Sequence, residues 1–257
     1  MNKSYESKSA IIVLYGSSDY KILDKKLNGQ LDTMCLSNSI DNKDNLETEM
    51  TYPSKVNTRA ICVVKTDKQS DNDWRNLGGK YYSRYKEQVD HVYFDDEMPK
   101  EVYDGAMMAR YSFLKYKTKD NPTYAEIHVD DIDTIDMLHE SVYFSRDLVS
   151  EPGNVLYPAE YAKRINDTLS PLGVNVKIYH QAQLEEMGLS LLLSVGQGSA
   201  RDSYVVVMEH MGGKVGDSPI ALVGKGVTFD TGGISLKPGR NMGDMKYDMG
   251  GSAAVVG

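Results

Sequence analysis

Residues 221–257 read ALVGKGVTFDTGGISLKPGRNMGDMKYDMGGSAAVVG, and this stretch decides how the rest of the chain is interpreted. A short apolar run, residues 220–223, ends at Gly224. Four charged residues then follow among glycines: Lys225, Asp230, Lys237 and Asp248. The small residues at 250–256 have the composition of a packed helix start. An apolar strand that leads into a charged, glycine-rich loop is typical of α/β proteins, in which such loops carry the chemistry.

Two phosphate-binding motifs can be excluded from the letters of this loop. A P-loop requires a glycine at a fixed offset before the Gly-Lys pair and Ser or Thr after it, but Gly226 follows Lys225. The dinucleotide fingerprint requires a third glycine where Phe229 stands. We therefore do not expect the loop to cradle phosphate.

The spacing of the charged residues favours a metal site instead. Glycine turns allow the backbones that carry two aspartates and a lysine to approach a common point. Carboxylates bind divalent cations, and one carboxylate can bridge two ions about 3.5–4 Å apart. A lysine can join them only as a neutral amine, because its ordinary pKa is about 10.4 and a bound cation must displace the proton. Solvated lysines and aspartates on turns are the alternative interpretation.

The segments GKGVTFDTGGISLKP and NMGDMKYDMGGSAAVVG resemble the signature region of the leucyl (cytosol) aminopeptidase family, which are dinuclear-metal exopeptidases. The resemblance implies that Lys225 and Asp248 ligate one metal and that Asp230 bridges both. It implies that Lys237 is a catalytic lysine outside the coordination shell. Met245 matches a position that lines the pocket for the first side chain of the substrate, and all five residues are implied to contact substrate.

The same resemblance implies two divalent ions, manganese or zinc, and a cytoplasmic homohexamer that releases N-terminal amino acids, leucine preferred, from peptides. The family's other metal ligands lie in an N-T-D-A-E-G-R motif, whose arginine holds a bicarbonate ion in complete enzymes. This sequence contains no such motif. We therefore expect the chain to cover only the front part of the catalytic domain and to be inactive alone. A non-catalytic fragment with an interaction or regulatory role, and a non-functional truncated product, are the alternatives.

Composition excludes several other classes of protein. The 257 residues are 40% hydrophobic and 26% charged, with a net charge of −8, so no basic footprint for nucleic acid is expected. No apolar run approaches the ~18 residues of a membrane span, and residues 1–10 have no signal-peptide core. Cys35 and Cys62 have no metal spacing and are expected to be buried or free thiols.

An α/β architecture is predicted from the alternation of elements. Strands are expected at 10–15, 59–65, 91–94 and 124–129. Helices are expected at 72–88, with Gly78-Gly79 as a flaw in the helix, and at 101–117. These form an N-terminal three-layer α/β domain over residues 1–130, with an irregular loop or insertion at 36–51. A connecting helix at 131–150 leads to the start of an α/β metallopeptidase catalytic domain at 151–257. In that domain we expect a helix from about Pro158, strands at 175–179, 204–208 (buried) and 220–223, and part of a helix at 183–187.

Isolated polar residues outside the loop are interpreted as structural or surface positions. None of the five histidines forms H-x-x-x-H or H-E-x-x-H spacing: His91, His128, His139, His180 and His210. The acidic runs at 95–97 and 130–131 are expected to be solvated charges at helix starts. No metal site is predicted from these residues.

Overall fold

The computed structural model of the protein describes residues 8–38, 46–51, 58–66, 70–118, 121–129, 136–214, 216 and 218–257. The chain divides into two compact units, Met1–His139 and Glu140–Gly257. The finer predicted boundaries at 130 and 150 stay predictions. Among the described residues, no helix is long and apolar enough to cross a membrane.

The first unit is built on a five-stranded sheet in the order β2-β3-β1-β4-β5. The strands are β1 (Ser9–Leu14), β2 (Leu46–Thr51), β3 (Ala60–Lys65), β4 (His91–Phe94) and β5 (Glu126–His128). β1 pairs in parallel with β3 and β4, β4 pairs in parallel with β5, and β2 is an antiparallel edge strand. The runs AIIVL and AICVV are buried almost throughout, as expected for parallel strands covered on both faces.

Helices cover both faces of this sheet, which makes the first unit a three-layer α/β structure. One face packs against α1 (Ser18–Lys26) and α2 (Gln30–Ser37) through a cluster that includes Ile11, Leu23 and Leu31. The other face packs against α3 (Asp71–Tyr85) and α4 (Glu101–Arg110), with Ile12 and Tyr82 in the core. Alternate residues of each strand point to opposite layers, so both clusters draw on the same strands.

The helix expected at 72–88 is α3, and the pair Gly78-Gly79, expected to be a flaw in it, lies inside the continuous helix. A Cβ added at Gly78 would lie 1.8 Å from the carbonyl oxygen of Val102, and one at Gly105 would lie 1.8 Å from that of Arg75. The helix backbones therefore touch where these glycines stand. The glycines are points of contact between α3 and α4 rather than breaks in a helix.

Other predicted elements differ from the structure at their ends. The expected helix at 101–117 stops at Arg110, and the expected loop at 36–51 contains the end of α2 and all of β2. Residues 39–45 of that loop lie outside the described residues. The connecting helix is α5 (Asp136–Ser150), and the predicted start at 131–135 also lies outside them.

The second unit contains further helices around a small antiparallel sheet. Its elements are α6 (Pro158–Leu169), β6 (Asn175–Tyr179), α7 (Gln181–Glu186), α8 (Ser190–Gly196), β7 (Val205–Glu209), a 3₁₀ helix (Met242–Met249) and α9 (Gly250–Val256). β6 pairs only with β7 in the described sheet. A core of buried residues joins α5, α6, the 3₁₀ helix and α9, including Leu148, Ile165, Met249 and Ala253.

In this unit one predicted strand is absent from the described residues, and the predicted burial of another strand is wrong. The strand expected to be buried at 204–208 is only partly buried, because it belongs to a two-stranded sheet. Residues 220–223 form no strand, and Ile220 and Val223 are 89% and 93% exposed. A strand is defined by hydrogen bonds to a neighbour, and none of the described strands pairs with this run.

Gly78→Ala is expected to destabilise the protein by about 2–3 kcal/mol, because a methyl group there forces the backbones of α3 and α4 apart. Gly79→Ala is the matched control. Its Cβ would lie 3.2 Å from the carbonyl oxygen of Gly105, and alanine improves helix propensity by about 1 kcal/mol. We expect the control to change the free energy of unfolding by less than about 1 kcal/mol in urea denaturation. Equal effects of the two substitutions would contradict this account of the helix contact.

Candidate metal centre

The predicted site residues lie on a loop without regular secondary structure and on the 3₁₀ helix that follows it. Residues 218–241 contain turns and extended segments but no helix or strand. Gly232 and Gly233 have φ angles of +91° and +66°, which are left-handed conformations that favour glycine. A Cβ on Gly232 would also lie 2.3 Å from the carbonyl oxygen of Ser235. The glycines therefore allow a sharp reversal between Asp230 and Lys237.

Lys237 is held against Asp230 by this reversal. Its Nζ donates to Asp230 Oδ2 at 2.6 Å, and the backbone amide of Gly232 donates to Asp230 Oδ1 at 2.9 Å. The backbone amide of Lys237 donates to the carbonyl oxygen of Thr231 at 2.9 Å, which closes the turn. One carboxylate is thus fixed by an ammonium group and a backbone amide of the same loop.

Met245 lies beside the same pair. Its Sδ is 3.0 Å from Lys237 Nζ, and its carbonyl oxygen accepts a hydrogen bond of 3.4 Å from the backbone amide of Asp230. The structure therefore brings together three of the predicted site residues. Their roles in catalysis and substrate binding stay predictions.

Lys225 and Asp248 form the second pair. Lys225 Nζ donates to both carboxylate oxygens of Asp248 at 2.6 Å. The carbonyl oxygen of Lys225 accepts a hydrogen bond of 3.0 Å from the amide of Ser252 in α9. A Cβ at Gly224 would lie 2.4 Å from Ser252 Cα, so glycine permits the loop to approach the helix this closely.

Two long-range contacts that support this part of the loop were not found from the sequence. The hydroxyl groups of Tyr161 in α6 and Ser252 in α9 lie 3.0 Å apart, across 91 positions of the chain. Lys246 Nζ donates to the carbonyl oxygen of Ser150 at 2.9 Å, across 96 positions. No local pattern in the sequence could have indicated either contact.

The electrostatics of the loop favour the ionised form of the Asp230 carboxylate. The hydrogen bond from Lys237 is the largest cause that lowers the pKa of Asp230, followed by the amide of Gly232. The charges of Lys237 and Lys225 lower this pKa further. Since Lys225 also contacts Asp248, the two ion pairs lie within electrostatic range of one another.

The loop offers few metal donors, but their chemistry suits a divalent cation. Asp230 and Asp248 offer carboxylate oxygens, and each already binds a cationic ammonium group. Lys225 could add an amine nitrogen after losing its proton. These three residues could hold one ion together with water. Two ions need on the order of eight or more coordination positions, so further donors are required for a dinuclear centre.

Comparison with known proteins supports the resemblance of the loop to the leucyl (cytosol) aminopeptidase family. The family model described as "Cytosol aminopeptidase family, catalytic domain" matches residues 143–257. Residues 143–257 are thus similar to the catalytic domain of that family. The region they occupy contains all the predicted site residues of the loop.

Relatives of this family match both inside and outside that region. A probable cytosol aminopeptidase of Rickettsia typhi is 49% identical over 169 residues, which are 61% of this chain and 34% of that protein. One from Bradyrhizobium sp. is 38% identical over 240 residues, which are 84% of this chain and 48% of that protein. The chain therefore spans between a third and a half of the length of these relatives.

Solved structures share the fold over nearly the whole chain. A mutant of tomato leucine aminopeptidase has a TM-score of 0.74 at 19% identity, with 98% of this chain and 55% of that chain covered. The cytosol aminopeptidase of Coxiella burnetii has a TM-score of 0.71 at 20% identity, with 99% and 55% covered. The bottromycin maturation enzyme BotP, solved in complex with Mn, has a TM-score of 0.71 at 24% identity, with 98% and 55% covered. The predicted α/β fold is thereby confirmed.

In the metal-free chain, Lys237→Ala is expected to raise the pKa of Asp230 toward its ordinary value of about 3.9, because the main hydrogen bond to the carboxylate is lost. The lowered pKa of the native carboxylate stabilises the fold above the unfolded-state pKa. That contribution is lost as the pH falls through the native pKa. Carboxyl ¹³C NMR titration in the presence of a chelator measures the pKa in the unchanged protein and in the variant.

Lys225→Ala serves as the matched comparison for this titration. Lys225 acts on Asp230 only through its charge, which is the smallest of the causes, so its loss should shift the pKa less. A larger shift in Lys225→Ala than in Lys237→Ala would contradict the pairing of lysines and aspartates.

Proposed function

We propose that the chain forms part of a metal-dependent aminopeptidase that releases N-terminal amino acids, with leucine preferred, from peptides. The observation that carries the proposal is the match of residues 143–257 to the family's catalytic domain, together with the loop in which two lysine–aspartate pairs lie within electrostatic range. The relatives named cytosol aminopeptidase support this activity. The complex of BotP with Mn supports a divalent ion as the cofactor.

In this proposal Lys225 and Asp248 would hold one divalent ion, manganese or zinc, and Asp230 would be shared with a second ion. Such a pair would supply a water nucleophile at neutral pH and would polarise the scissile carbonyl group of the peptide. The residues of the chain have to present the donors in the required protonation states. Asp230 is suited to this because its pKa is already lowered.

The two lysines are proposed to have opposite protonation states. Lys225 can ligate only as a neutral amine, whereas Lys237 acts as an ammonium group outside the coordination shell. The Lys237 ammonium group lies 2.6 Å from Asp230 Oδ2. In the role proposed for it, this group would donate to the carbonyl oxygen of the substrate as that oxygen becomes anionic, a contribution typically worth about 3–4 kcal/mol per donor.

The side chain of Met245 lies next to that ammonium group and is only partly buried. We propose that it forms one wall of the pocket for the first side chain of the substrate. An unbranched thioether adapts to different apolar side chains, which suits a pocket that prefers leucine. Bicarbonate, homohexameric assembly and a cytoplasmic location remain predictions from the family resemblance.

Lys225→Arg should weaken Mn²⁺ binding although positive charge is retained, because a guanidinium group cannot lose its proton to ligate. Lys237→Ala is the matched control. It removes an ammonium group that competes for Asp230, so Mn²⁺ should bind at least as tightly as in the unchanged protein. Bound and free Mn²⁺ can be separated by electron paramagnetic resonance. Unchanged affinity in Lys225→Arg would remove this lysine from the ligand set.

The 257-residue chain alone is expected to hydrolyse leucine amide, in the presence of Mn²⁺, at less than about a tenth of the rate of a complete leucine aminopeptidase used as control. The reason is that three candidate donors leave a two-ion site short of ligands. The initial rate of leucine release gives the comparison. Turnover within about tenfold of the control would show that other groups complete the centre.

A further inference from the structure

A group of side chains of the types that ligate metals lies on the sheet of the first unit: His91, Glu126 and His128. In the parallel register of β4 and β5, His91 is opposite Glu126, and Tyr93 is opposite His128. Residues two apart on a strand point to the same face, so these four side chains share one face of the sheet. Tyr93 belongs to the core cluster on the side of α1 and α2, which identifies that face. β5 is the last strand at this edge of the sheet.

The donor atoms of the two histidines and the glutamate converge. His91 Nδ1 lies 2.9 Å from His128 Nε2. Glu126 Oε2 lies 3.6 Å from His91 Nδ1 and 3.9 Å from His128 Nε2. Ligands at about 2.0–2.2 Å from a tetrahedral zinc ion are about 3.3–3.6 Å from each other. The three distances bracket this value, so a small movement of the side chains would seat an ion between them.

The surroundings hold the histidine rings but leave one side open. The ring of Tyr93 stacks on that of His128, with centroids 4.3 Å apart and an angle of 13° between the planes. His91 is 16% exposed and His128 is 34% exposed, whereas Glu126 is 70% exposed. The two imidazoles are therefore restrained by packing, and the carboxylate lies on the solvent-exposed side of the group. Water can reach the fourth position of a tetrahedral ion from that side.

We propose that His91, Glu126 and His128 form a zinc-binding site of two imidazoles and one carboxylate in the first unit of the chain. Imidazole nitrogen favours borderline ions such as Zn²⁺ over the hard ions Mg²⁺ and Ca²⁺, which prefer oxygen ligands. Three protein ligands with an open fourth position are typical of zinc sites that also bind water or a small ligand. A hydrogen-bonded group of side chains without metal is the competing explanation.

The test uses the full chain in an Asp230→Asn, Asp248→Asn background, so that zinc cannot bind to the loop carboxylates of the second unit. Isothermal titration with ZnCl₂ is expected to give one equivalent of bound zinc per chain. His128→Ala and His91→Ala should each weaken this binding by more than about 100-fold, because the loss of even an outer-shell partner typically costs about 10–100-fold. Glu126→Gln should weaken binding less, since the amide oxygen remains a poor ligand.

His210→Ala is the matched control, because this histidine is exposed and lies in the second unit. It should retain full zinc binding. Ring resonances of His91 and His128 are expected to shift together as ZnCl₂ is added, whereas MgCl₂ should leave them unchanged. Glu126 is exposed, so Glu126→Gln is expected to fold normally. Its weaker zinc binding therefore tests the ligand set even if a histidine variant does not fold.

Absence of zinc binding in the background chain would overturn the proposal. It would also be overturned if binding survived His91→Ala and His128→Ala, or if the two rings did not respond to zinc. These outcomes do not depend on whether the loop of the second unit forms an aminopeptidase centre, because its carboxylates are removed in every sample.

Discussion

The pairing of each loop carboxylate with a lysine is the interaction on which the candidate centre depends. Asp230 and Asp248 are only partly buried, yet each accepts hydrogen bonds of 2.6 Å from an ammonium group on the same segment. The positive charges come from the loop itself, and the hydrogen bond from Lys237 lowers the pKa of Asp230. The loop therefore places two carboxylates beside cationic groups without any contribution from distant parts of the chain.

The glycines of this loop serve that arrangement in two different ways. Gly232 adopts a left-handed conformation, which turns the chain so that Lys237 can reach back to Asp230. Gly224 has no such conformation, but its lack of a side chain lets the loop lie against Ser252 of α9. The sequence shows a run of glycines among charges. It cannot show which glycine forms a turn and which permits a contact, because that difference depends on residues far along the chain.

Much of the first unit could be predicted from the sequence, because β1, β3 and β4 are mainly apolar runs of four to six residues. The predicted ends of β1, β3 and β4 lie within a residue or two of the observed ones. Tertiary contacts explain the features of this unit that the sequence did not predict. Gly78 has the pattern of a defect in a helix, but the neighbouring helix is what requires a glycine there. Propensity describes one segment at a time and cannot include a partner.

The two candidate metal sites differ in how much of each can be found from the sequence. Lys225 and Asp230 could be found because they lie five positions apart in a recognisable loop. His91 and Glu126 are 35 positions apart, and only the parallel register of β4 and β5 places them side by side. Each histidine alone has the pattern of a structural residue. A ligand set shared between parallel strands leaves no spacing in the sequence, because the length of the connection between the strands is free to vary. Convergence of donor atoms in space is therefore the only signal such a site can give.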